Sequence, residues 1–133
     1  MIKQETPYNC GPACLQIVWK LMGREDLPQS AFAAMAGTTT AGTGIWGLKK
    51  AIRAMGYDYV VKRGKQSLYR TPSKVAIVYD PKRDHWMVAE KLNKRWNLHD
   101  PETALTEKHN RITIRSKVFS KYTSYSIFVT EKA

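Results

Sequence analysis

The hydrophobic pattern of this chain changes period once, near residue 57, and that change restricts the architectures open to it. Before it, apolar residues recur at helical spacing. A helix is predicted from about Gly11, with Pro12 suited to a first turn and with Ala13, Ile17, Val18, Leu21 and Met22 in one stripe ending at Gly23. "PQSAFAAMAG" reads as a second, short helix stopped at Gly37, and "TTTAGTG" as a flexible polar loop. "GIWGLKKAIRAMG" then places Ile45, Leu48, Ile52 and Met55 on one helical face and Lys49, Lys50 and Arg53 on the other. Beyond residue 57 the segments "YDYVVKR", "KVAIVYD", "HWMVAEKL", "RWNLHD" and "YSIFVTE" are rich in β-branched and aromatic residues and read as strands. Asn93–Lys94 is a hairpin-length connection, and "SKVFSKY" reads as a short helix capped by Ser116. Helices first and an antiparallel sheet second is an α+β layout, N-terminal helices packed on the sheet. With 133 residues and no repeat or linker, one domain over residues 1–133 is expected, large enough to bury a core.

Charge narrows the setting. The net charge is +11, and residues 49–95 carry thirteen Lys/Arg against four Asp/Glu. That basic segment, which includes Lys62, Arg63, Lys65, Arg70, Lys82 and Arg83, suits an anionic partner such as an acidic substrate protein, nucleic acid or an anionic surface. Solubility alone is the plainer account of it, and no RNA-recognition, helix-turn-helix or zinc-finger pattern accompanies the charge. No run approaches the ~20 apolar residues of a membrane span, and no signal pattern opens the chain, so a cytoplasmic protein is expected.

Both cysteines lie within "CGPAC", where the first helix should begin. Cys10 is open to three readings: a nucleophile, half of a redox pair with Cys14, or a core residue. At a helix N-terminus, unpaired N–H groups and the positive end of the macrodipole favour a thiolate and offer donors to an oxyanion. Gly11 permits close approach of backbone or substrate. A cysteine nucleophile also needs a base and a group that orients the base. His85 opens a strand after the turn "DPKRD", and a hairpin about Asn93–Lys94 brings Asp100 to the same open end. There the carboxylate would accept the Nδ1–H of the imidazole. His99 should point to the opposite face because side chains alternate, and His109 lies in a polar stretch. The C-x-x-x-C spacing is neither that of thioredoxin-like pairs nor that of zinc sites, and a disulfide within one helical turn is geometrically poor. Trp19, Trp46, Trp86 and Trp96 are read as core or cleft-wall residues, with Trp86 shielding the His85 pair from water.

"QETPYNCGPACLQIVWKLMG", "HWMV" 75 residues after Cys10 and "DP" 15 residues later together resemble the bacteriocin-processing, double-glycine-leader cysteine peptidases and their stand-alone relatives in the papain-like superfamily. The resemblance covers roughly residues 4 to 130. It implies a papain-like fold and a peptidase in which Cys10 is the nucleophile, His85 the general base, Asp100 the group orienting His85, and Gln4 a donor to the oxyanion beside the Cys10 backbone N–H. The substrate would be a peptide or protein, with leader-peptide processing as one form of it. No cofactor or metal is implied. Cys14 would be a buried apolar thiol, since relatives carry a small residue there. Gln4 stands so near residue 1 that no inhibitory pro-segment is expected ahead of it. Family members that mature exported peptides usually precede an exporter, and none is encoded here, so the chain reads as an independent enzyme or as a domain of a longer protein. Other acyl transfers at the same thiol (isopeptide cleavage, deamidation, cell-wall amidase action) and an inactive peptide-binding module remain as alternatives.

Overall fold

A computed structural model describes residues 2–63, 73–92, 95–102, 105–109 and 126–132. Three helices come first: α1 (Cys10–Leu21), α2 (Gln29–Ala36) and α3 (Ile45–Ala54). Six strands follow: β1 (Asp58–Lys62), β2 (Val75–Asp80), β3 (His85–Leu92), β4 (Arg95–Asp100), β5 (Leu105–His109) and β6 (Ser126–Thr130). They form one sheet in the order β1-β6-β2-β3-β4-β5, and every neighbouring pair is antiparallel. The α+β layout expected from the change of period is the one observed. β5 was not expected, because Leu105 is the one apolar residue in "LTEKH"; its pairing with β4 at the sheet edge defines it. The expected helix over "SKVFSKY", the Asn93–Lys94 connection, Lys65, Arg70 and the side chain of Trp96 lie outside the described residues.

α1 starts where the sequence relinquishes backbone donors. The first-turn N–H groups of any helix lack intrahelical acceptors, so Pro12 removes no helical hydrogen bond there. The apolar stripe of α1 is buried through Cys14, Leu15, Ile17 and Val18 and packs against Phe32 of α2, Leu48 and Ile52 of α3, and Ile77, Val88 and Ile127 of the sheet. Alternation along the strands turns Ala76, Val78, Met87, Ala89, Leu98 and Phe128 to the other face, where they too are buried. The centre of the sheet is therefore covered on both sides. α2 and α3 approach closely at Gly47, where a Cβ would lie 2.3 Å from the Ala36 carbonyl oxygen.

Two expectations are corrected. Trp46 is not a core residue: it is 78 % exposed, with the Lys49 ammonium 4.5 Å from its ring centroid, because it lies outside the face set by Leu48, Ala51 and Ile52. The segment at 38–44, expected as a flexible polar loop, is a tight turn closed on itself. Thr39 and Gly42 exchange backbone bonds of 3.2 and 2.9 Å, and the Thr38 and Thr43 hydroxyls meet at 2.7 Å. This turn leans on α1, where a Cβ on Gly11 would lie 2.7 Å from the Thr43 side chain.

Candidate active site

Cys10 is the first residue of α1 and nearly buried, at 9 % exposure. Asn9, in the N-cap position, makes no side-chain cap, and the first turn holds no acidic residue. The donors and the positive end of the helix dipole are thus left uncompensated beside the sulfur.

His85 is the first residue of β3, delivered there by the turn after β2. Asp80, buried at the end of β2, builds that turn by accepting the Lys82 N–H at 3.1 Å and the Arg83 Nε–H at 3.0 Å. Asp84 closes it with φ of 49°, a left-handed conformation that Asp tolerates better than most residues, and accepts the Tyr79 hydroxyl at 2.5 Å. β4 runs antiparallel beside β3 and brings Asp100 to the same rim. His85 Nε2 and Asp100 Oδ1 are 2.7 Å apart. This corrects the expected atom: the carboxylate takes Nε2, not Nδ1. Asp100 reaches across from the next strand and meets the far nitrogen of the ring.

The electrostatics follow. Burial works against a charge on His85, but the Asp100 hydrogen bond, the hydrogen bond with Cys10 and the charges of both partners outweigh it and push its pKa up to about 9. Burial likewise opposes ionisation of Asp100. Hydrogen bonds from His85, the Glu102 N–H and Arg83 prevail and hold its pKa at about 2. Cys14 is fully buried; burial first, then the Cys10 and Asp100 charges, push its thiol well above the ordinary range. Both thiols are free.

Gln4 lines the same cleft of about 490 Å³ as Cys10, Arg83, His85 and Glu102. Its backbone N–H donates to the Pro101 carbonyl at 2.8 Å. Its side-chain Nε2 donates to the carbonyls of Thr6 (3.0 Å) and Pro7 (3.3 Å), and its Oε1 is buried with no partner among the described residues. A second, smaller cleft on Cys10 is walled by Pro7, Tyr8, Asp84 and the Thr40–Gly42 turn. Structure therefore gathers Cys10, His85, Asp100 and Gln4 in one place. His99 is elsewhere: opposite Val88, buried, 3.0 Å from Glu90 Oε1. His109 ends β5. Trp86 is buried and donates its Nε1–H to the Thr43 carbonyl at 2.8 Å, so it holds the 38–44 turn.

Three residues escaped sequence reasoning: Gln29, Asp80 and Arg83. Arg83 was read with the basic segment, yet it joins Asp80, Asp100 and Glu102 at 3.0, 3.0 and 3.1 Å. Its only signal was the turn string "DPKRD". Ligand atoms of His85, Asp100 and Glu102 lie within 4.8 Å of one another. That cluster already holds a cation, because the Arg83 guanidinium binds both carboxylates and Asp100 occupies His85 Nε2. Among the described residues no helix is long and apolar enough to cross a membrane.

Three N-terminal helices packed on an antiparallel sheet make this the papain-like fold, and the helix-borne Cys10 lines one cleft with His85. The model of the Peptidase C39 family matches residues 1–133, and the chain belongs to that family. An uncharacterized protein of Methanothermobacter marburgensis is 27 % identical over 132 residues, covering 99 % of this chain and 88 % of that protein. A lactococcin transport/processing ATP-binding protein of Lactococcus lactis is 27 % identical over 135 residues, covering 96 % of this chain and 18 % of that protein. Among solved structures, a double glycine motif protease from an AMS/PCAT transporter, in complex with the leader peptide, superposes with a TM-score of 0.80 at 17 % identity and covers 99 % of this chain and 91 % of its own.

Proposed function

We propose that this chain is a cysteine peptidase that cleaves a peptide by acyl transfer to Cys10, and that its substrate carries a leader segment of the kind bound by the AMS/PCAT protease. The observation that carries the reading is the 2.7 Å His85–Asp100 bond in the cleft that His85 lines together with Cys10. With Nε2–H held by Asp100, Nδ1 is the nitrogen available to the sulfur. His85 takes the thiol proton, and the resulting thiolate attacks the scissile carbonyl carbon. A C–S bond forms and the carbonyl π electrons move to oxygen. That oxyanion is met by the Cys10 N–H, and by Gln4 Nε2 once the amide releases the longer of its two bonds, to the Pro7 carbonyl. Collapse breaks the C–N bond, the amine leaves with the proton from His85, and a thioester remains. Water attacks the thioester, His85 takes its proton, the C–S bond breaks, and the acid product departs as the thiol is restored.

His85 protonates the leaving amine, so the larger cleft that it lines receives the leaving side of the substrate. The smaller cleft beside Thr40–Gly42 receives the acyl side. The test is mass spectrometry of products from leader-bearing peptides, with Cys10→Ala as control. Cleavage by the parent chain and none by the variant is expected. A deamidated or transpeptidated product would assign another acyl transfer, and an intact peptide bound equally by both would assign a binding module.

A further inference from the structure

The residue that joins the two halves of this site is a third one, buried at the start of α2. Gln29 is 1 % exposed, and its side-chain amide makes four hydrogen bonds, two at each end. Oε1 accepts from the Glu5 N–H at 2.8 Å and from Asn9 Nδ2 at 3.1 Å. Nε2 donates to the Lys3 carbonyl at 3.1 Å and to Gln16 Oε1 at 3.0 Å. Lys3 and Glu5 bracket Gln4, and Asn9 precedes Cys10. One buried amide thus fixes the backbone on both sides of the oxyanion donor and the residue leading into the nucleophile. Asn9 donates its Nδ2–H to Gln29, and its side chain makes no cap on α1.

We propose that Gln29 is a positioning residue for acyl transfer at Cys10, holding the Lys3–Asn9 strap so that Gln4 and the α1 terminus converge on one point. The inference rests on the acyl-transfer reading above. Its physical basis is the steep dependence of preorganised donors on placement: an error of ~1 Å can cost ~100-fold in rate. A buried amide with every position used is also rigid in a way that a solvated side chain is not.

The experiment compares two reactions of the same thiol. Acylation by p-nitrophenyl acetate, read as a p-nitrophenolate burst with a Cys10→Ala blank, develops an oxyanion. Alkylation by iodoacetamide develops none, so it reports only the thiol and its base. Gln29→Met keeps the volume and removes all four bonds. Gln16→Met removes one of them and leaves the strap intact. Gln29→Met is expected to slow acylation by roughly 10- to 100-fold while alkylation changes by less than about 3-fold, with Gln16→Met near the parent in both. Equal acylation in folded Gln29→Met, or parallel losses in both reactions that track melting temperature in both variants, would overturn the proposal. If Gln29→Met does not fold, Asn9→Ala cuts one arm of the strap. A smaller loss confined to acylation is then expected, and no loss overturns the inference. A parent chain that gives no burst overturns the acyl-transfer reading and this inference with it. A burst in the parent matched by Gln29→Met overturns this inference alone.

Discussion

Arg83 and Asp100 are joined at 3.0 Å through Nη2 and Oδ2, the carboxylate oxygen that His85 leaves unused. The same guanidinium is held by Asp80 and Glu102, and Asp100 Oδ1 additionally accepts the Glu102 N–H at 2.9 Å. Asp100 is thereby fixed from three directions, and a carboxylate that cannot swing keeps the imidazole aimed. Arg83→Met should lower the turnover of Cys10 about 10-fold, raise the Asp100 pKa, which loses a favourable cation, and raise that of His85, which loses a like charge. Buried Asp80 also loses its ion partner; Arg83 is 39 % exposed, so solvent reduces the expected stability loss to about 1–3 kcal/mol. Arg83→Lys should not restore the parent, because an ammonium cannot span three carboxylates in one plane. Imidazole titration by NMR is the decisive reading: an unmoved His85 would mean that Arg83 acts on the turn alone.

Stability should depend on pH on both sides of a plateau. The folded pKa of Asp100 lies near 2 against an ordinary value of 3.8, so its contribution is present above about 3.8 and is lost as pH falls through 2. For His85 the folded value near 9 stands above the ordinary 6.5, so its contribution is full below 6.5 and disappears as pH rises through 9. Urea unfolding of the parent should therefore weaken by up to about 3 kcal/mol between pH 6.5 and 9. His85→Gln should flatten that decline; a decline of the same size in the variant would assign it to other groups.

Two glycines allow helices and turn to touch, and they should not tolerate alanine equally. In a helix interior Gly→Ala is worth about 0.5–1 kcal/mol of stabilisation from propensity alone. At Gly11 the new methyl would meet the Thr43 side chain at 2.7 Å, and at Gly47 the Ala36 carbonyl oxygen at 2.3 Å. Overpacking costs about 1–3 kcal/mol, which exceeds the propensity gain. Thr43 presents its Cβ at 2.7 Å, which moves only with the 38–44 turn, whereas the closer carbonyl belongs to the α2 helix backbone. Melting temperatures should fall for both variants and further for Gly47→Ala, and the reverse order would contradict this account of the contacts.

How much of this was visible beforehand depends on how local each signal is. α1 announces itself through a stripe and a helix-opening Pro12, and the His85–Asp100 pairing follows from hairpin counting, because β3 and β4 are joined by two residues. Gln29 had no such signal. Its partners Lys3 and Glu5 lie 26 and 24 residues away, and an amide before an apolar helix looks like any solvated glutamine. Arg83 looked like surface charge because the carboxylates that neutralise it come from three separate positions. Trp46 is exposed for a different reason: apolar character alone does not bury a residue, and one position along α3 is enough to rotate a side chain out of the core. The choice of Nε2 depends on how far a side chain reaches between strands, which register alone does not specify.

The two thiols should separate cleanly by reactivity. Cys14 is buried with its pKa pushed well up, and a neutral, inaccessible thiol is inert. Iodoacetamide at neutral pH should label one site per folded chain, unchanged in Cys14→Ala and abolished in Cys10→Ala. Cys14→Ala should cost about 1 kcal/mol, the scale of a small cavity. Labelling of two sites in the folded parent would mean that Cys14 is reached from solvent.

Trp86 offers a last discrimination, between shielding an ion pair and fastening a turn. Its ring lies 4.9 Å from that of Tyr79, and its Nε1–H holds the Thr43 carbonyl, the end of the turn that walls the smaller cleft beside Cys10. Trp86→Phe keeps an aromatic ring in the core and deletes the donor, leaving a carbonyl short of its partner at a cost of about 1–2 kcal/mol. If fastening is the role, hydrogen exchange at the Thr39 and Gly42 amides, which close the turn, should accelerate, while the pH profile of Cys10 alkylation stays in place. Shielding predicts the opposite pair of results, since water admitted to the His85–Asp100 pair would move the profile and leave the turn protected. The fastening outcome is expected because Trp86 alternates away from His85 along β3 and packs among the helix-facing residues Ile77 and Val88.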